Sequence, residues 1–288
     1  MTDAASLLMT TDPRLNWPML SQTERDAAYD NNKAVADSPA LIAARNETAA
    51  RYRAAHANAL DIPYGPRDRT KIDLYPAADS AAPCLVFIHG GYWQRNSREL
   101  FAHLAEGVGA HGWSVAIPSY SLAPEATLTE IVQEINLALD WLAANGSGYG
   151  VAGQVVVSGW SAGAHLTALA LSHPAVAAGL AVSGVYDLAP IRDTALNIAL
   201  KLTETEIETL SPLRLPMVGK PLTIAYGSAE LPALVWDSKH LYEARQAAHA
   251  PGDLVAIDGA NHFSILEELR RPDGALVKLA LALLSPGA

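Results

Sequence analysis

Apolar residues follow two rhythms along the chain. Between about residues 20 and 60 the text is alanine-rich with scattered charge and reads as helix. IDLYPA then suggests a first strand, and from residue 83 onward short apolar runs alternate with longer amphipathic stretches. The runs are PCLVFIHGG, WSVAIPSY, QVVVSGW, GLAVSGVYDL, PLTIAYGS and DLVAIDGANHF. Their apolar character is continuous rather than alternating, the mark of strands buried on both faces, and with helices between them a mainly parallel sheet follows. SRELFAHLAEGVGAHG puts Leu100, Leu104 and Val108 on one helical face, with Gly112 as the stop. TLTEIVQEINLALDWLAANG opens with Thr127 and Glu130 at capping-box spacing and aligns Ile131, Ile135, Leu139 and Leu142 in one stripe. GALVKLALALL reads as a closing helix. Residues 188–212 break the rhythm. They are too long for a plain crossover, look helical, and offer a second capping box at Thr203 and Glu206. An insertion at the carboxyl end of a sheet is where a lid over a site would sit. The expected architecture is therefore one α/β domain over residues 1–288, with a sheet of about eight strands. Residues 1–60 form a helical N-terminal cap segment, and residues 61–288 form the core with a cap insert at about 188–212.

Composition narrows the function. Half of the 288 residues are hydrophobic and 17% are charged, enough to bury a sizeable core. The net charge of −10 argues against a nucleic-acid partner, whose phosphates need a cationic face. The single cysteine, Cys84, excludes an intramolecular disulfide framework and lies in an apolar run as a small buried hydrophobe. MTDAASLLMTTDPR lacks the basic start and apolar stretch of a leader, and no apolar run approaches the roughly 20 residues of a membrane span. A cytoplasmic protein without membrane contact is the default expectation. No phosphate loop, dinucleotide fingerprint or ligand-spaced His/carboxylate cluster occurs, so neither metal nor cofactor is expected. The apolar C-terminal helix could pack on a second copy, as in a homodimer.

The chemistry concentrates in three places. Gly159-Trp160-Ser161-Ala162-Gly163 matches G-x-S-x-G between an apolar strand and a helix, the setting in which a serine rides a sharp turn and exposes its Oγ. A hydroxyl needs a base, and His262, directly after the last strand, is the outstanding candidate. His165 lies four residues along the helix from Ser161 and reads as structural, and His89 reads as a group that orders its loop. The acid belongs on a loop after a strand, between serine and histidine in the chain. Glu230 is the first choice and Asp187 its rival, with Asp237 and Asp258 weaker. In HGGYW, residues 89–93, two glycines let backbone N–H groups reach a developing oxyanion. Gly90, Gly91 and Tyr92 make up that loop, and Ala162 supplies another N–H. Tyr92, Trp93, Trp160, Tyr186, Trp236 and Phe263 fall beside these positions, which suggests a small-molecule substrate with an aromatic or apolar group.

Together these residues resemble the α/β-hydrolase superfamily, specifically the HGG-type esterases related to hormone-sensitive lipase. YSLAPEATL is similar to that group's Y-R-L-A-P-E segment, with Ser121 in place of the arginine. Within the group the likeness is to the kynurenine formamidase (arylformamidase) family, through His89 to Trp93, Ser158 to His165, SGVYDL, Ser211-Pro212 and the NHF around His262. The resemblance implies a serine hydrolase with Ser161 as nucleophile, His262 as base and Glu230 as acid, acting on an N-formyl-L-kynurenine-like aryl formamide in tryptophan breakdown. Two positions depart from that family: Trp160 stands where it usually has histidine, and Glu230 where it usually has aspartate. The alternatives are a carboxylesterase or N-acyl-arylamide hydrolase of the same fold, and a hydrolase-fold binding protein without catalysis.

Overall fold

A computed structural model describes residues 16–285. The leader-like pattern sought in the first fourteen residues lies outside that range. Eight strands form one sheet: β1 (Ile62–Pro63), β2 (Lys71–Tyr75), β3 (Cys84–Ile88), β4 (Ser114–Pro118), β5 (Val155–Trp160), β6 (Val176–Val182), β7 (Leu222–Gly227) and β8 (Leu254–Ile257). Their order is β1-β2-β4-β3-β5-β6-β7-β8. The first two strands pair antiparallel, β2 joins β4 antiparallel, and every later pairing is parallel. Seven of these strands coincide with IDLYPA and the six apolar runs. The eighth, β1, has only two residues and carries no such signal.

The run CLVFI shows why no alternation was visible. Its side chains point alternately to the two faces. Val86 and Ile88 enter one core with Ile131, Ile135 and Leu139, while Leu85 and Phe87 enter the other with Phe101, Val108 and Leu276. Both faces are covered, so both sets of positions must be apolar. Cys84 is fully buried there, and burial pushes its thiol up to about 12.

Twelve α-helices surround the sheet among the described residues. The segment read as helix over 20–60 is broken into α1 (Gln22–Ala27), α2 (Asn31–Ala34) and α3 (Ser38–Ala55). Local caps make the breaks: Ser21 forms a capping box with Glu24, and the Asp30 carboxylate accepts from Lys33 N. The stretch over 98–112 is not the single helix its periodicity predicts. Arg98–Leu104 winds as a 3-10 helix and only Ala105–Gly109, α4, is α-helical. Its start is tied down from outside, since buried Arg98 donates through Nε to Asp73 (2.9 Å) and its backbone N–H donates to Ser119 Oγ (2.9 Å). Helix α5 (Leu128–Asn145) has the Thr127–Glu130 capping box and buries Ile131, Ile135, Leu139 and Leu142, as its stripe predicts.

Helix α6 (Ala162–Ala170) follows β5. The insert holds α7 (Ala189–Arg192), α8 (Asn197–Leu200) and α9 (Glu204–Leu210), the last opened by the Thr203–Glu206 capping box. Helices α10 (Pro232–Ala247), α11 (Glu267–Arg270) and α12 (Ala275–Ala282) complete the set. Leu276, Val277 and Ala280 of α12 are buried within this chain. The insert is stitched to the N-terminal helices: Trp17 Nε1 donates to Asp193, Gln22 Nε2 donates to the Asp193 carbonyl, and Ala195 N donates to Asp26. No helix of the described residues is long and apolar enough to cross a membrane.

Candidate active site

Ser161 sits between β5 and α6 with φ 60° and ψ −122°, a backbone conformation that side-chain-bearing residues rarely adopt. The flanking glycines make the bend possible. A Cβ on Gly159 would overlap the Gly163 carbonyl, and one on Gly163 would overlap the Ile88 carbonyl, so helix and strands meet backbone to backbone. The loop after β3 closes on the same bend. A Cβ on Gly90 would lie 2.9 Å from the Ser161 Cβ and 2.5 Å from the Trp160 carbonyl oxygen. Asn96 Nδ2 and His89 Nδ1 donate to the Gly90 carbonyl at 3.1 and 2.9 Å. A trans peptide points its N–H opposite to its C=O, so these bonds turn the Gly91 N–H the other way. Gly91, Tyr92 and Trp93 all have positive φ. The Tyr92 hydroxyl holds the loop to the N-terminal segment, donating to the Tyr29 carbonyl (2.8 Å) and accepting from Asn31 N and Nδ2 (3.2 Å each).

His262 and Glu230 come from loops laced together beyond β7 and β8. Ser228 N donates to the Ile257 carbonyl, Ala229 N to the Ala260 carbonyl, and Gly259 N to Ser228 Oγ. These bonds bring the Glu230 Oε2 to 3.4 Å from His262 Nδ1, an acceptor for the Nδ1 proton. The other oxygen, Oε1, accepts from Gly227 N (3.0 Å) and from the Ser183 hydroxyl. The Glu230 side chain has no solvent exposure, and its hydrogen bonds provide what water would otherwise supply. Ser161 and His262 line one cleft with Gly91, Tyr92, Trp160 and Phe263. The cleft has a volume of about 70 Å³. Trp160 does more than fill space: its Nε1–H donates to the His262 carbonyl at 2.7 Å and its ring lies 4.7 Å from the imidazole.

The other candidates lie elsewhere. Asp187 is bound by Arg214 Nε (3.1 Å) and accepts from Ala189 N (3.1 Å). Asp258 is exposed on the loop after β8, and Asp237 is buried on α10. Trp93 is turned away from the cleft into the core, edge-on to His165 at 5.1 Å. Trp93 has a φ of 58°, and its indole lies in the core while the neighbouring Tyr92 lines the cleft. Tyr186 is likewise fully buried, and Trp236 stacks on His240 one helical turn along α10. None of the three lines the Ser161 cleft. His89 and His165 are buried, and desolvation lowers them to about 3 and about 4. His89 stacks on Tyr120, and His165 Nε2–H donates to the Leu210 carbonyl, tying α6 to the insert. Among the described residues no group of three or more His, Cys, Asp or Glu gathers as a set of metal ligands.

Six lining groups carried no sequence signal: Asn31, Asn32, Ile42 and Arg45 from the N-terminal helices, and Arg95 and Asn96 from the loop after β3. Ser183, which holds the Glu230 carboxylate, gave none either. Its φ of 55° at the end of β6 is a local irregularity that only the backbone reveals.

A family model described as BD-FAE matches residues 72–177, the span from β2 to the start of β6, with the Ser161 bend inside it. The chain is 28% identical to a kynurenine formamidase of Danio rerio over 93% of its own length and 98% of that protein's. It is also 28% identical to the isoprenylcysteine alpha-carbonyl methylesterase ICME of Arabidopsis thaliana, over 71% of this chain and 56% of that one. A crystal structure from Silicibacter sp. TM1040, whose description assigns it provisionally to the thioesterases, superposes with a TM-score of 0.82. That match has 29% identity and covers 90% of this chain and 99% of the other. The sheet, the serine bend and these relatives agree: the chain has the α/β-hydrolase fold and is a hydrolase of the formamidase and esterase type.

Proposed function

We propose that the protein hydrolyses aryl formamides of the N-formyl-L-kynurenine kind through an acyl-enzyme on Ser161, with His262 as general base and acid and Glu230 orienting the imidazole. The observation that carries this reading is the size of the Ser161 cleft. At about 70 Å³ it is well below the roughly 300–1,000 Å³ of sites that enclose a drug-sized ligand, so it suits a small acyl group such as formyl. An adjoining cavity of about 470 Å³, mostly apolar, shares Ile42, Arg45 and Phe263 with the cleft and has room for an aromatic leaving group.

In this mechanism Ser161 Oγ forms a bond to the formyl carbon as its proton passes to His262 Nε2. The carbonyl oxygen becomes an oxyanion, met by N–H groups of Gly91, Tyr92 and Ala162, at a helix N-terminus that favours negative charge. Collapse breaks the C–N bond, and His262 returns its proton to the departing aniline nitrogen. Water then gives a proton to His262 and attacks the formyl ester, and formate leaves with Ser161 restored. Through the imidazolium stages the Glu230 carboxylate stabilises the ring's charge. The helices of residues 16–60 and the insert act as the cap of this single catalytic domain, and the cytoplasm is its compartment.

A second reading, a small-acyl carboxylesterase, is favoured by the likeness to esterases and by the same cleft, which would equally accept acetyl. Turnover of N-formyl-L-kynurenine beside p-nitrophenyl acetate separates the two. The formamidase reading expects kcat/KM for the formamide to match or exceed that for the ester, although the ester is chemically far more reactive. A large preference for the ester contradicts it.

A further inference from the structure

Twelve residues line the Ser161 cleft, and in a protein of net charge −10 none of them is an aspartate or glutamate, while two, Arg45 and Arg95, are arginines. Arg95 is exposed at the outer mouth. Arg45 lies inside, on the wall shared by the cleft and the 470 Å³ cavity. The other two arginines of that cavity are neutralised: Arg51 pairs with Glu47 at 2.9 Å, and Arg270 pairs with Glu267 and Glu106 at 2.7 and 3.1 Å. Arg45 has no carboxylate partner among the described residues. Its guanidinium lies 4.5 Å over the Phe101 ring, and its Nε and one terminal nitrogen donate to the neutral amide of Asn46 at 3.1 and 2.9 Å. Partial burial without an offsetting anion lowers it to about 10, so at neutral pH it keeps its charge while only partly exposed to water. A guanidinium so placed is a strong receptor for a carboxylate, because a charge-assisted hydrogen bond gains strength as water is excluded.

We propose that Arg45 binds a carboxylate on the leaving group, so that the preferred substrates are small-acyl aryl amides or esters whose aromatic part carries an anionic substituent. The proposal rests on the Ser161 hydrolase reading and assigns the specificity determinant of that site. The aryl ring lies in the apolar cavity between Ile42 and Phe263, and its carboxylate meets the Arg45 nitrogens that Asn46 leaves free.

The test is steady-state kinetics on a matched ester pair, 4-acetoxybenzoate and the neutral 4-acetoxybenzamide, with the wild-type protein, Arg45→Gln and Arg45→Lys. Wild type is expected to prefer the benzoate. Arg45→Gln should lower kcat/KM for the benzoate about ten- to a hundredfold, mainly through KM, and leave the benzamide within about twofold. Arg45→Lys, which keeps the charge but not the fork, should fall between. In the wild type, added NaCl should depress turnover of the benzoate alone. Equal losses on both esters, or no loss on either, overturn the proposal, as does a wild-type preference insensitive to salt and to Arg45. Because the pair are esters, failure of the formamidase reading leaves this result intact. Failure of the Ser161 reading shows instead as no Ser161-dependent turnover of either compound.

Discussion

At the scale of single residues, the site depends on one buried carboxylate held at both oxygens. Glu230 Oε1 is occupied by Gly227 N and the Ser183 hydroxyl, leaving Oε2 to face His262 Nδ1. The longer side chain of glutamate thus reaches the imidazole from a loop that is itself fixed to the end of β7. Glu230→Gln preserves the volume but presents an amide that either donates or accepts, and removes the charge that offsets an imidazolium. In the proposed mechanism kcat should fall about 10³–10⁴-fold with KM little changed, by analogy with amide replacement of the acid in other serine triads. A fall of less than about tenfold in kcat would move the acid's role to another residue, Asp187 being the one that sequence reasoning ranked next. Trp160 is an instructive case at this scale. Singled out in the sequence as an aromatic beside the serine, it donates its indole N–H to the His262 carbonyl and so braces the base.

At the scale of elements, close backbone approach around the bend governs what the sequence tolerates. Gly163 lets the first turn of α6 rest on the end of β3, where a Cβ would overlap the Ile88 carbonyl. Gly163→Ala should therefore destabilise the fold by about 1–3 kcal/mol through overpacking, despite alanine's higher helix propensity. Urea unfolding measures it, with a lower midpoint at unchanged slope expected and an unchanged midpoint contradicting it. This crowding also explains what was legible in the sequence. Strands β2 to β8, α5 with its cap, and the positions of Ser161 and His262 all follow from local pattern: continuous apolar runs, a 3.6-residue stripe and glycine-flanked turns. Arg45, Asn31 and Ile42 were not legible, because they reach the cleft through the packing of α2 and α3 against distant loops. Trp93 and Trp236 were misread for a related reason. Adjacency in sequence does not say where a side chain points: Tyr92 lines the cleft, and the indole of Trp93 beside it packs in the core against His165.

At the scale of the whole molecule, three buried histidines couple folding to pH. His89, His103 and His165 are desolvated, with pKa values lowered from 6.5 to about 3, about 3 and about 4. Above pH 6.5 they are neutral in both folded and unfolded chains and contribute no pH dependence. Below it the unfolded chain binds protons that the folded one refuses, so stability is lost as pH falls from about 6.5 toward 4. Each histidine contributes about 1.4 kcal/mol per pH unit across that window. Thermal unfolding between pH 7.5 and 5 is expected to give a Tm that is nearly flat above 6.5 and drops steeply below it. A Tm that holds or rises down to pH 5 would contradict the burial of these rings.

The central claim, that Ser161 is the activated nucleophile, is tested most directly by intact-protein and peptide mass spectrometry after treatment with a fluorophosphonate. That reagent phosphonylates only a serine whose hydroxyl is activated within a working site. One adduct per chain is predicted, located on the peptide containing Ser161, absent in Ser161→Ala and strongly slowed in His262→Ala. An unmodified wild-type protein, or an adduct on a different serine that survives Ser161→Ala, would contradict it.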